Sequence, residues 1–108
     1  MRAALSPVTH IEAIAIKVGA SYDTQTIAYR IAQDCEDDPA TWGRAPRSVG
    51  AAALYVAAQL CDEHITQQEI ADAAGIARGT IRDNYPPIAE HAEEMESINV
   101  ECVEVPAQ

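Results

Sequence analysis

The chain has 108 residues, which is enough for one domain with a modest core. It carries 17 acidic and 7 basic residues, a formal net charge of −10, and 48% of it is apolar although it contains no phenylalanine. Such an acidic surface repels nucleic acid at long range, which excludes an ordinary nucleic-acid-binding protein unless molar salt screens its charges to a range of about 3 Å.

The first two predicted helices carry apolar residues at helical spacing. The first covers Pro7–Val18 and ends at Gly19. Asp23 is the predicted cap of the second helix, which continues into the acidic cluster at 36–38 and is ended by Pro39. The acidic cluster is expected to be a solvated face.

A third helix is predicted over 47–61, with Pro46 in its first turn. Between positions 49 and 58 it is apolar nearly all round, which is typical of a helix in the middle of a bundle. Gly50 and the surrounding alanines should let neighbouring helices approach closely. Trp42, in the preceding loop, is expected to fold over the core.

The segment from 65 to 82 has the pattern of a helix-turn-helix. Thr66 and Glu69 have the spacing of a capping box at the start of a fourth helix. Gly75 supplies the positive φ angle at which that helix must stop. Ile76 is predicted to fill the corner between this helix and the next.

The fifth helix is predicted to begin at Arg78. A proline inside a helix costs roughly 3 kcal/mol or more, so Pro86 and Pro87 predict that the helix ends or kinks near Asn84. The segment 88–95 would then form a separate turn or two. We expect one all-α domain over 1–95, followed by a loosely ordered tail over 96–108.

In a helix-turn-helix the second helix is offered to the major groove of DNA. Arg82 can donate two hydrogen bonds to guanine, and its alternative is an ion pair with Asp83 or Glu69. The other candidate DNA contacts lie beside it on the fifth helix or at the start of the fourth, where backbone N–H groups favour a phosphate. They are Arg78, Gly79, Thr80, Asn84, Gln67 and Gln68.

Arg44 and Arg47, before and at the start of the third helix, are candidates for contact with the DNA backbone or with a partner. For Arg44 the alternative is an ion pair with the cluster at 36–38. The gathering of basic residues into two short motifs favours DNA binding in molar salt. An acidic, alanine-rich surface with the single lysine Lys17 is typical of cytoplasmic proteins of halophiles.

Catalytic and metal-binding patterns are lacking in this sequence. Its cysteines are widely spaced without a Cys-x-x-Cys pair, which predicts thiols in a reducing cytoplasm and neither a zinc site nor disulfides. Its histidines have no nearby nucleophile or second ligand, so we predict no enzyme and no cofactor. The cysteines are Cys35, Cys61 and Cys102, and the histidines are His10, His64 and His91. No stretch is long and apolar enough to span a membrane.

The motif Gly-Arg-Ala-Pro-Arg-Ser-Val at 43–49, the alanine-rich third helix and the helix-turn-helix at 66–82 occur in an order that resembles the second cyclin-like repeat of transcription factor IIB and of its archaeal equivalent. The resemblance implies a cyclin-like five-helix bundle. It implies a helix-turn-helix that contacts promoter DNA just upstream of the TATA box, beside TATA-binding protein. RNA polymerase would be engaged only indirectly, through other parts of such a factor.

By this resemblance, Arg82 matches an arginine that reaches a base edge, and Thr80 matches the threonine beside it. Gly79 stands where the family usually has a valine, and Ala77 stands where a capping serine is common. The family's zinc ribbon and first repeat are not in this sequence. We expect a monomer, with two alternatives to DNA recognition: a protein-interaction module of the same fold, or a decoy that represses transcription.

Overall fold

The computed structural model describes residues 7–35 and 44–94 of the chain. Within these ranges it forms five α-helices and no strand, which confirms the predicted all-α class. The acidic cluster, Pro39, Trp42 and the tail, for which the sequence made predictions, lie outside the described residues. The helices are α1 (Pro7–Val18), α2 (Tyr22–Cys35), α3 (Pro46–Leu60), α4 (Gln67–Ala74) and α5 (Arg78–Glu93).

Helix α3 is the centre of the bundle and packs against the other four helices. Ten of its 15 residues are buried, as its nearly continuous apolar sequence predicts. Gly50 marks the tightest crossing, because a Cβ atom placed there would lie only 2.7 Å from the backbone oxygen of Pro7. The bare backbone at Gly50 therefore allows α1 to lie directly on α3.

Branched aliphatic side chains from all five helices fill the core around these close crossings. Alanines lie between them and keep the helices close together, so the described core is dense although its large members are aliphatic. The large aliphatic side chains that are fully buried are Ile11, Ile27, Ile31, Leu54, Ile70, Ile81 and Ile88.

The start of α2 differs from the sequence prediction. Ser21, rather than Asp23, caps this helix, because its Oγ accepts the backbone N–H of Thr24 at 3.2 Å. Asp23 lies in the first turn. The backbone N–H and hydroxyl of Ser21 donate to the carboxylate of Glu63 at 3.1 and 3.0 Å, and the Thr24 hydroxyl donates to it as well.

Glu63 thus ties the loop between α3 and α4 to the N-terminus of α2. A carboxylate is favoured there because it complements the helix dipole. Burial by itself would raise the pKa of Glu63, but the hydrogen bonds from Thr24 and Ser21 outweigh burial and lower the pKa.

Helix α5 also differs from prediction, since it runs from Arg78 to Glu93 without ending at its two prolines. Pro86 and Pro87 cannot donate to the backbone oxygens of Arg82 and Asp83, four residues earlier. Both of those residues are exposed at the surface, where water can satisfy their carbonyl groups. Burial of the opposite face of α5 in the core offsets the cost, and so the helix continues.

Candidate nucleic-acid interface

The turn between α4 and α5 is built by local sequence signals that the structure confirms. The Thr66 side chain accepts the backbone N–H of Glu69 at 3.1 Å, and the Glu69 carboxylate accepts the backbone N–H of Thr66 at 2.9 Å. Gly75 ends α4 in the left-handed conformation, with φ 73° and ψ 33°. Ile76 is partly buried against the core, so it fills the corner as predicted.

Helix α5 presents its first two turns to solvent on one side only. Ile81 is fully buried and fastens the helix to the core. Arg78 and Arg82 are exposed, and Gly79 and Thr80 are half-buried between them. The exposed side of α5 therefore carries two cationic groups, as the second helix of a DNA-binding motif would.

An open groove with a volume of about 640 Å³ lies where α4 and α5 both begin. It brings together four of the predicted DNA contacts, namely Gln67, Gln68, Arg78 and Arg82. Glu63 also lines this groove, but its carboxylate is engaged by Ser21 and Thr24. The groove therefore combines the two arginines with the amide side chains of Gln67 and Gln68.

The sequence allows Arg82 to pair with Asp83 or with Glu69, and the structure shows the pair with Asp83. Nε of Arg82 lies 3.7 Å from Oδ1 of Asp83, and both side chains are exposed, by 67% and 73%. Glu69, the other possible partner, is engaged in the capping box. An exposed pair of this kind contributes about 0–1 kcal/mol, so it does not prevent the Arg82 guanidinium from turning to a ligand.

Asn84 and Arg44 are placed differently from the rest. Asn84 is buried, with 8% of its surface exposed, so its side chain does not extend from the outer face of α5. Its Oδ1 accepts a hydrogen bond from Nη1 of Arg44 at 2.7 Å, and its Nδ2 donates to the backbone oxygen of Thr80 at 2.6 Å. Prediction of Asn84 as a DNA contact overlooked this inward orientation, and Arg44 bonds to α5 rather than extending only to solvent.

The comparison with known proteins agrees with this architecture. The family described as "Transcription factor TFIIB repeat" matches residues 2–91. The chain belongs to this family.

Among curated proteins, this TFIIB repeat is similar to the transcription initiation factor IIB of three archaea. It is 41% identical to that of Archaeoglobus fulgidus over 85 residues, which cover 79% of this chain and 26% of that protein. It is 39% identical to that of Methanopyrus kandleri over 84 residues, which cover 78% of this chain and 27% of that protein. It is 34% identical to that of Methanothrix thermoacetophila over 98 residues, which cover 91% of this chain and 27% of that protein. The chain thus spans about a quarter of the length of these relatives. They are transcription factors and not enzymes, which agrees with the prediction from the sequence.

The groove of this TFIIB repeat also includes residues that the sequence did not single out as contacts: Tyr55 and Gln59 of α3 and His64 of the following loop. The Tyr55 hydroxyl accepts a hydrogen bond from Nε2 of Gln59 at 3.0 Å, and its ring meets that of Tyr85 edge-on with centroids 5.1 Å apart. For Tyr55 and Gln59, the sequence pattern that could have indicated a surface role is a pair of polar side chains four residues apart in an otherwise apolar helix.

Arg47 does not join the other candidates. It lines a second groove, of about 300 Å³, together with His10, Lys17 and the C-terminal end of α4. Burial, and then the charge of Arg47, lower the pKa of His10. Nζ of Lys17 donates to the backbone oxygen of Ala73 at 3.4 Å and so complements the end of α4. Arg78 and Arg82 thus line one groove, whereas Lys17 and Arg47 line another.

Within the ranges described, no group of three or more histidine, cysteine or acidic side chains could hold a metal ion. In the same part of the chain, no helix has both the length and the apolar character needed to cross a membrane.

Proposed function

We propose that this TFIIB repeat contributes to transcription initiation by binding promoter DNA upstream of the TATA box, together with TATA-binding protein. The observation that supports this most strongly is the groove at the start of α4 and α5, where Gln67, Gln68, Arg78 and Arg82 meet on a helix-turn-helix. RNA polymerase is engaged only indirectly, and the repeat acts as a monomer.

Each groove residue has a distinct proposed role. Arg82 reads a guanine through O6 and N7, a contact that contributes about 1–3 kcal/mol of base discrimination. Arg78 and the first residues of α4, Gln67 and Gln68, contact phosphates, which fix the orientation of the motif. Thr80, in the first turn of α5, contributes a further contact with the DNA.

The two arginines near α3 have separate proposed roles. Arg47 contacts a more distant phosphate or a partner. Asn84 and Arg44 support α5 from within through their mutual hydrogen bond, and we do not assign either of them to the DNA.

The net charge of −10 determines the conditions under which such binding is favourable. At about 0.1 M salt, charges act over about 10 Å, so the acidic body opposes the approach of DNA. At about 1 M the range falls to about 3 Å, and short contacts such as that of Arg82 persist while the distant repulsion is screened. We therefore propose a halophilic setting in which the repeat binds only beside TATA-binding protein.

A gel-shift titration at about 0.1 and 1 M KCl tests this proposal. It uses TATA-box DNA with its upstream flank, TATA-binding protein, and the wild type, Arg82→Ala or Arg30→Ala. Arg30→Ala is the matched control, because it removes the same charge from α2, outside the groove. We expect a supershift at high salt whose affinity Arg82→Ala weakens and Arg30→Ala preserves, because the loss of one bidentate base contact costs about 1–3 kcal/mol. An affinity that Arg82→Ala leaves unchanged would reject the assignment of Arg82 as the reader.

A protein-interaction module is the second candidate function, and two observations favour it. The acidic surface opposes DNA, and two large apolar side chains, Ile16 and Tyr22, are 69% and 80% exposed near the turn between α1 and α2. NMR chemical shifts that stay unchanged on addition of DNA and TATA-binding protein would support it. A decoy, in contrast, would bind the promoter and repress transcription by the full-length factor in vitro.

A further inference from the structure

Gly79 and Arg82 lie one helical turn apart and share one face of α5. A Cβ atom placed at Gly79 would lie 3.3 Å from Nη2 of Arg82 and 3.9 Å from its Cζ. Apart from the neighbours of Gly79 in the chain and the backbone of its own helix, the Arg82 side chain is all that such a Cβ would meet within 4 Å among the described residues. The guanidinium therefore occupies the space beside a missing side chain.

Oδ1 of Asp83 lies 3.7 Å from Nε of Arg82, in an exposed ion pair. Arg82 thus lies back along α5 towards the helix N-terminus, the direction that helical side chains favour. We propose that Gly79 is a positioning residue: its bare backbone lets the Arg82 guanidinium lie over the first turn of α5, and this position sets which base edge Arg82 reaches. This inference rests on the proposed function.

The Cβ atom of a side chain at Gly79 would press on the Arg82 guanidinium. Gly79 has an ordinary helical backbone, because the glycines with positive φ are Gly19 and Gly75. Alanine or valine at this position can keep the helix, and the group they would displace is the far end of a flexible side chain. We therefore expect Gly79→Ala and Gly79→Val to move the guanidinium outward, valine more than alanine, without loss of thermal stability.

A change in base preference would distinguish a positioning role of Gly79 from a purely structural one. Arginine contacts to phosphate carry no sequence information, whereas contacts to a base edge do. Moving the Arg82 guanidinium should therefore change which bases are preferred more than it changes affinity for the best site.

The experiment is a double-mutant cycle that combines Gly79→Val with Arg82→Ala. Binding beside TATA-binding protein is measured for promoter DNAs that differ by one base upstream of the TATA box. We expect Gly79→Val to change the discrimination between these bases by about tenfold, within the range of one bidentate contact. On the Arg82→Ala background the same substitution should have no effect on preference.

Four outcomes would overturn the inference. Unchanged preference in Gly79→Val, or an equal change on both backgrounds, rejects the positioning role while leaving the proposed function intact. Absence of wild-type binding under all conditions rejects both. The packing itself is tested without DNA, because the NMR signal of the Arg82 Nε–H group should shift in Gly79→Ala. If that signal does not move, the guanidinium does not lie beside Gly79.

Discussion

Helices α4 and α5 are stabilised in opposite ways. Helix α4 has only eight residues, yet a reciprocal capping box starts it and Gly75 ends it in the left-handed conformation. Helix α5 has 16 residues, no side-chain cap at Ala77 and two prolines in its interior. Local hydrogen bonds thus define α4, whereas α5 depends on the core beneath it. A helix that would carry the DNA contacts is positioned by packing rather than by its own sequence.

The strongest test of this difference is to remove core packing from α5. Ile88 is fully buried and follows directly after the two prolines. Ile88→Ala is expected to lower the free energy of unfolding by about 2–5 kcal/mol, through lost burial and the cavity left behind. Urea denaturation measures this effect.

Ile16→Ala is the matched control, because the side chain of Ile16 is 69% exposed. It should change stability by less than about 0.5 kcal/mol. A loss below about 1 kcal/mol in Ile88→Ala would contradict the view that packing maintains α5 across its prolines.

This difference between the helices also explains what the sequence could and could not predict. The capping box of α4 and the glycine after it are contained within ten consecutive positions, so their pattern is visible in the chain. Continuation of α5 past Pro86 depends on contacts with α3, which no local pattern contains. Two prolines inside a helix are costly, but tertiary packing offsets that cost in α5.

The candidate site follows the same division. Gln67, Gln68, Arg78 and Arg82 were predicted because the helix-turn-helix itself places them, and the structure brings them into one groove. The spacing of Asn84 from Ile81 and Ile88 indicates that it faces inward, but no local pattern contains its bond with Arg44, which lies 40 residues earlier in the chain. The cap of α2 is a local signal that the prediction missed, because Ser21 Oγ accepts the backbone N–H of Thr24, three residues later.

Glu63 offers a second test, because the loop before α4 is fixed by a distant contact rather than by a local one. Glu63→Gln removes a carboxylate that accepts hydrogen bonds from Ser21 and Thr24. The expected loss is about 1–1.5 kcal/mol near neutral pH, because glutamine keeps one accepting oxygen and loses only the extra strength of hydrogen bonds to a charged group. Urea denaturation of both proteins at several pH values measures it.

The pH dependence of this loss has a definite sign. The pKa of Glu63 is lowered in the folded protein from its ordinary value of 4.5. Its carboxylate therefore contributes fully above about pH 4.5, and the contribution disappears as the pH falls through the lower folded pKa. The difference between wild type and Glu63→Gln should shrink in that acidic range. A difference that grows on acidification would contradict the assigned hydrogen bonds.

A smaller effect is expected from the cap of α4. Thr66→Ala removes the side-chain oxygen that accepts the backbone N–H of Glu69. The expected cost is typically about 1 kcal/mol, within a range of 0.5–2 kcal/mol. Thr66→Ser keeps the hydroxyl and serves as the control, so it should retain most of the stability. Equal losses in both variants would show that the threonine methyl group, and not the cap, is responsible.

The smallest effect is expected from a substitution that gives α5 the side-chain cap that it lacks. Ala77 has the extended backbone of a cap residue, with φ −77° and ψ 146°, but no side-chain oxygen. Ala77→Ser should therefore raise the free energy of unfolding by about 0.5–1 kcal/mol, towards the low end of the range for N-caps because α5 is already fixed by the core. In the double variant Thr66→Ala/Ala77→Ser the two changes should nearly cancel, since the two caps share no hydrogen-bond partner. If Ala77→Ser brings no gain while Thr66→Ala is costly, packing alone already determines where α5 begins.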